Sequence, residues 1–187
     1  RCPCRPSSRA RAPHRRRPGV AASPLRRCTS ERPCEARGRL ILSWFIGRGP
    51  LAGPVVAAAV ILPEGFDSAG IRDSKALSPT AREAAAARIR QETIWALGLC
   101  SPQEIDRLNI LEASMEAMRR ALAAINPAPK MARIDGNRLP RGLQIAAETV
   151  VKGDAKHLAI AAASILAKVH RDALMAEAAA TYSEFGF

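Results

Sequence analysis

Two unbroken apolar runs, Leu40–Ile46 (LILSWFI) and Pro54–Leu62 (PVVAAAVIL), do most to limit what this chain can fold into. Neither alternates polar with apolar residues, and they are closed by Gly47 and Pro63. Such runs read as strands buried on both faces, and a sheet built from them needs cover on both sides. The cover follows in the sequence. Ser78-Pro79 is an N-cap followed by proline at the first helical position, which predicts a helix to about Gln91. Thr93–Leu99 reads as a short strand. Ser101-Pro102-Gln103-Glu104 is a capping box that opens a helix to about Leu108. A second helix is expected over Ile110–Ile125, with Leu111, Met115, Met118 and Leu122 at helical spacing. Met131–Asp135 and Ile145–Val151 read as strands, and Leu158–Tyr182 as a long Ala-rich helix. The fold class is therefore α/β, a mixed sheet flanked by helices. There are no internal repeats, and about 150 residues suffice for one domain that buries roughly 70% of its unfolded surface.

The charge is not part of that domain. The chain of 187 residues has a formal charge of +12, yet residues 1–39 hold twelve Arg against two acids, Glu31 and Glu35, while residues 40–187 are nearly balanced. This arm has six prolines, and its only aliphatics larger than Ala are Val20 and Leu25. It cannot bury enough apolar surface to offset its ordering entropy and is expected to be disordered. Arg15-Arg16-Arg17 could grip phosphates non-specifically. An organelle transit peptide is a second reading, which the prolines disfavour. A tail without function outweighs both. Four of the five cysteines (Cys2, Cys4, Cys28, Cys34) lie in the arm at a spacing that fits no standard zinc site. Cys100 alone lies in the domain, which excludes an internal disulfide framework and points to a reducing, cytoplasmic setting. No apolar run approaches the ~20 residues of a membrane span, and no h-region marks a secretory signal.

The chemistry that remains is acidic. Three His with no Ser or Cys partner signal give poor support to a nucleophilic triad, and the Gly-rich turn after residue 46 matches neither a P-loop nor a dinucleotide fingerprint. Asp135 closes one predicted strand and Asp154 the next, just before the long helix. Carboxylates at neighbouring strand ends can converge as hard ligands for Mg²⁺ or Mn²⁺, completed by water and substrate phosphate. An Asp that ends a strand near Gly is equally ordinary turn chemistry, and spacing alone favours that simpler view.

Six blocks in register change the balance. Gly47-Arg48-Gly49-Pro50-Leu51-Ala52-Gly53-Pro54, Asp73-Ser74-Lys75-Ala76-Leu77-Ser78, Glu104–Leu111, Ile134-Asp135-Gly136-Asn137, Val151-Lys152-Gly153-Asp154 and Ala161–Val169 with Arg171-Asp172 together resemble bacterial ribonuclease HII over residues 47–187. The resemblance implies a ribonuclease H-like fold, here lacking the family's C-terminal helices. It implies a hydrolase, an endonuclease of DNA replication and repair, that cuts the RNA strand of RNA/DNA hybrids or single ribonucleotides embedded in DNA. The implied cofactor is Mn²⁺ or Mg²⁺ held by four carboxylates, of which Asp135 and Asp154 are the third and fourth. Gly47, Arg48 and Gly49 resemble the loop that approaches the ribose 2′-OH, and Ser74 and Lys75 a phosphate-contacting pair. Asp172, Lys152, Lys168 and Ser164 read as structural or solvated residues. A monomer is expected, with a nucleic-acid partner and no membrane.

The same resemblance exposes a defect. The family's first two carboxylates, an Asp-Glu pair, fall on Trp44 and Phe45 in this chain. Neither side chain offers a ligand oxygen, so the expected outcome is weak metal binding and impaired hydrolysis. Two other readings stand beside it. One is a non-catalytic nucleic-acid-binding relative that relies on the arm's charge. The other is a gene fragment whose first 46 residues come from a shifted reading frame, as an arm with Arg but no Lys suggests.

Overall fold

The computed structural model describes residues 40–45 (backbone only), 52–71 and 77–185; the arm at 1–39 lies outside the described residues. Five strands form one sheet in the order β3-β2-β1-β4-β5. They are β1 (Leu40–Phe45), β2 (Val55–Ile61), β3 (Ile94–Cys100), β4 (Met131–Asp135) and β5 (Ala146–Val150). The sheet is mixed, as expected. β1 runs antiparallel to β2, and β2 to β3, whereas β1 and β4, and β4 and β5, are parallel.

β2 is the strand whose sequence demanded two-sided cover, and it is buried at all seven positions. Its alternation splits the core in two. Val55, Ala57, Ala59 and Ile61 face a cluster with Met115, Met118, Ala121 and Leu122 from α3 (Ile110–Ala124). Val56, Ala58 and Val60 face a cluster with Ile89 of α1 (Pro79–Glu92) and Ala161–Ala163, Ile165 and Leu166 of α5 (Leu158–Thr181). The helices come close because the contact residues are small. At Gly98 of β3 any Cβ would overlap the Ala117 carbonyl oxygen of α3 and lie 2.5 Å from the Ala121 nitrogen. A side chain at this position is excluded by helix backbone rather than by a movable neighbour.

Local chemistry sets the element boundaries. Ser78 accepts from the Ala81 amide at the start of α1, and Ser101 and Glu104 form the reciprocal capping box of α2 (Pro102–Leu108). Asn109 ends α2 and starts α3 at φ +68°, and its Oδ1 accepts from the amides of Leu111 (3.0 Å) and Glu112 (3.1 Å). Thr93, read as a strand residue, caps α1 instead; its hydroxyl donates to the Ile89 carbonyl at 2.7 Å. Cys100 is buried beneath α3, and burial pushes its thiol above the ordinary value, which keeps it neutral and inert. No helix among the described residues is long and apolar enough to cross a membrane.

α2 is tied to α3 by charge. Arg120 donates to Glu104 (2.7 Å), to Glu116 (2.8 Å) and to the Leu99 carbonyl at the sheet. The Arg120 guanidinium, helped by the Ser101 amide, holds the Glu104 carboxyl down at about 2. Its folded-state value is below the ordinary one, so its stabilisation is full above about pH 4.5 and is lost as pH falls toward 2. Arg120 is 38% exposed, so solvent screening limits the pair to about 1 kcal/mol. Urea unfolding at neutral pH is therefore expected to show Glu104→Gln less stable by about that amount, with the gap to the parent closing between pH 4.5 and 2. A gap independent of pH would contradict the pairing.

Candidate active site

The parallel pairing of β1, β4 and β5 brings three C-terminal strand ends to one edge of the sheet. Leu42 of β1 is level with Ile134 of β4, and Asp135 is level with Val150 of β5. Continuing that register sets Ser43 beside Asp135 and carries the backbone of Trp44 and Phe45 just beyond it. β2 begins at the same end, because Val56 pairs with Phe45.

Asp135 is held there by a specific contact. β4 stops at Asp135 because Gly136 turns away at φ +108°, while the Gly136 amide donates to the Val150 carbonyl at 3.0 Å. After Val151 the chain turns through Lys152 in the left-handed region (φ +55°), and the Gly153 amide donates to Asp135 Oδ1 at 2.7 Å. This short bond from backbone to carboxylate fixes one oxygen of Asp135. Gly153 is buried; a Cβ there would lie 2.5 Å from Ile160 Cδ1 and 3.2 Å from Asp135 Oδ1. The glycine is needed for space, and its amide acts as the clamp.

Asp154 follows directly. The sequence placed it at the end of a strand, but β5 stops at Val150, and Asp154 lies in the first turn of a four-residue helix, α4 (Gly153–Lys156). The left-handed Lys152 makes the difference: it breaks the strand path and re-aims the chain before the carboxylate is reached. Asp154 is half-buried, and its Oδ1 accepts from the Ala155 amide at 3.0 Å. Asp135 and Asp154 are thus brought to the same end of the sheet through Gly153.

The remaining candidates stand differently. Gly47, Arg48, Gly49, Ser74 and Lys75 lie outside the described residues, and β1 is described at Trp44 and Phe45 by backbone alone. Lys168, read as solvated, donates to Asp172 at 2.6 Å along α5. No group of three or more His, Cys, Asp or Glu able to hold a metal occurs among the described residues. Two residues escaped sequence reasoning. Gly153 was read as a motif letter and not as the clamp on Asp135. Arg171 reaches from α5 to the Ala52 carbonyl, 119 residues away, at 3.0 Å. No local pattern signals a contact of that range.

A family model described as ribonuclease HII matches residues 46–186. The chain belongs to the ribonuclease HII family. It is 52% identical over 141 residues to a ribonuclease HII of Maricaulis maris, covering 75% of this chain and 65% of that protein. In structure it is similar to the ribonuclease H2 of Pyrococcus horikoshii, with a TM-score of 0.68, 26% identity and 78% of each chain covered. It shares its fold, at 21% identity and a TM-score of 0.66, with Bst-RNase HIII, whose crystal structure is in complex with Mn²⁺; the match covers 78% of this chain and 56% of that one. The ribonuclease H-like architecture expected from the motifs is borne out by these neighbours.

The clamp has a measurable consequence. Gly153→Ala is expected to lower unfolding stability by about 1–3 kcal/mol, because the added methyl meets both Ile160 and the clamped carboxylate. Lys152→Gly one residue earlier is expected to change stability by less than about 1 kcal/mol, since relief of the left-handed strain offsets the freer unfolded chain. Thermal or urea unfolding of the two variants tests the contrast, and equal effects would contradict it.

Proposed function

We propose that this chain is a ribonuclease HII-type endoribonuclease in impaired form. It recognises RNA/DNA hybrids, or DNA with embedded ribonucleotides, and hydrolyses the RNA strand far more slowly than a relative with four carboxylates. One observation carries this reading. The sheet end that holds Asp135, clamped by Gly153 next to Asp154, is also where β1 delivers Trp44 and Phe45.

Asp135 and Asp154 are hard oxygen donors that suit one Mn²⁺ or Mg²⁺, with water and substrate phosphate completing its shell. Their charge of about −2 does not suit two ions of total charge +4, and Trp44 and Phe45 contribute no donor oxygen, so no two-metal step is assigned to this chain. A divalent ion held by Asp135 and Asp154 would supply Lewis acidity for activating a water. The chain's own residues do the rest. The Gly153 amide keeps Asp135 oriented before any ligand arrives, which lowers the reorganisation needed on binding. Gly47, Arg48 and Gly49 allow the backbone to approach the 2′-OH that distinguishes RNA from DNA. Ser74 and Lys75 contact phosphate.

Activity assays on a hybrid duplex with Mn²⁺ test the reading. Trp44→Asp with Phe45→Glu is expected to raise the hydrolysis rate at least about a hundredfold, the equivalent of about 2.7 kcal/mol of recovered transition-state stabilisation. Asp135→Asn in that background returns it to the starting level. Turnover left unchanged by the double substitution would overturn the assignment of positions 44 and 45.

A second reading, a non-catalytic nucleic-acid binder, is favoured by the arm's twelve Arg beside a nearly neutral domain. It is tested by the salt dependence of hybrid affinity. If the arm supplies the binding, log K falls steeply with log salt, and removal of residues 1–39 flattens the slope by several phosphate equivalents. An unchanged slope rejects it.

A further inference from the structure

Much of the domain's positive charge is engaged internally. Arg88, Arg119, Arg120, Arg133 and Lys168 are paired with carboxylates, and Arg171 donates to the Ala52 carbonyl. Arg138, Lys152 and Lys156 differ. All three are exposed, and none has a hydrogen-bond or ion-pair partner among the described residues. They also share one end of the sheet. Arg138 lies three residues beyond Asp135, so chain length alone keeps the two within about 10 Å. Lys152 precedes the Gly153 clamp, and Lys156 lies in α4 two residues past Asp154. The bond from the Gly136 amide to the Val150 carbonyl ties the two segments that carry these cations. β5 has no neighbour on its outer side among the described residues, so the segments leave the sheet at an open edge. Lys152 carries a further mark. Its backbone is left-handed (φ +55°, ψ +48°), a conformation that glycine adopts freely and lysine only at a cost. A solvent-facing cation on strained backbone beside two carboxylates is an outlier of the kind that gathers at ligand sites.

We infer that Arg138, Lys152 and Lys156 form a phosphate-binding rim, which holds the sugar-phosphate backbone of a nucleic acid where it leaves the carboxylate site over the β5 edge. The inference rests on the reading of Asp135 and Asp154 as a site of phosphodiester chemistry. Two carboxylates on their own repel a polyanion. Three cations within a few residues of them outweigh that charge and give the polyanion a reason to approach. Lys152 and Lys156 stand four residues apart across α4, about one helical turn, so they meet different points of a backbone rather than one isolated anion. Contacts of this kind position a duplex without reading its bases or its sugars. The rim therefore holds an RNA/DNA hybrid and a DNA duplex alike, and leaves discrimination between them to other residues.

Fluorescence anisotropy of the full chain, with a hybrid and a DNA duplex of the same sequence, tests the rim. Each phosphate contact contributes about 0.9 to the slope of log K against log salt. Lys152→Gly with Lys156→Gln is expected to flatten that slope by about 1.8 on both duplexes, and Arg138→Gln by about 0.9 more. Arg90→Gln with Lys130→Gln removes the same charge just ahead of β3 and β4, at the opposite end of the sheet. That control is expected to stay within about 0.3 of the parent slope. An unchanged slope in the folded Lys152→Gly, Lys156→Gln variant overturns the rim, and so does an equal loss in the control. Should the variant not fold, Lys152→Asn keeps a residue that tolerates the left-handed backbone, and it is held to a change of about 0.9. The preference for hybrid over DNA separates the rim from the reading beneath it. A flattened slope in a chain without that preference supports the rim as a nucleic-acid contact and rejects the ribonuclease reading. A chain that prefers the hybrid and keeps its slope rejects the rim and supports the ribonuclease reading.

Discussion

The close approach of helices to a sheet made of small side chains is the constraint on which the rest depends. β2 offers Ala57, Ala58 and Ala59 in succession, α5 offers Ala161–Ala163, and α3 sets its backbone against Gly98. Small residues on both partners bring helix axes near the strands, where dispersion contacts are dense and a single added methyl has nowhere to go. Because α3 and α5 press on opposite faces of the same strand, β2, neither can shift alone. The carboxylate end of the sheet inherits that rigidity: Ile160, packed at the Gly153 clamp, belongs to the same α5 that covers β2.

The site shows how a fold keeps a charge ready with little apparatus. Asp135 is positioned by one backbone amide, and the glycine that supplies it is enforced by steric exclusion from two sides. Backbone donors do not change rotamer, so the orientation of the carboxylate is stored in the main-chain path from Gly136 to Gly153. The backbone of Trp44 and Phe45 ends β1 at the same end of the sheet.

Much of the fold was legible because its signals are local. Ser78-Pro79 and the Ser101–Glu104 box name their helix starts by cap chemistry that operates within four residues. The unbroken apolarity of β2 announced its double burial. The strand order β3-β2-β1-β4-β5 was not written in any window, since pairing joins segments tens of residues apart. Asp154 was placed on the wrong element because Lys152 adopts a left-handed turn with none of the Gly or Asn that usually marks one. The sequence offers the candidate site as a pair of acids, and the family resemblance is what makes a ribonuclease site the expectation there. The Gly153 amide that holds Asp135 acts across eighteen residues, a tertiary contact that no sequence window contains.

Asn109 shows what a joint of one residue entails. It terminates α2 and initiates α3, and two demands meet on it: a left-handed backbone, which Gly would satisfy, and a side-chain acceptor, which Ser or Asp would supply. Few residues meet both. With no spare residue between the helices, their angle is set by a single pair of torsions, and Arg120 locks it from the side. An insertion at that point would rotate α3 by about 100° per residue against the sheet. Changes of chain length in such a domain are therefore confined to stretches with slack, such as residues 136–145 between β4 and β5, while the α2–α3 junction transmits any change directly to the core.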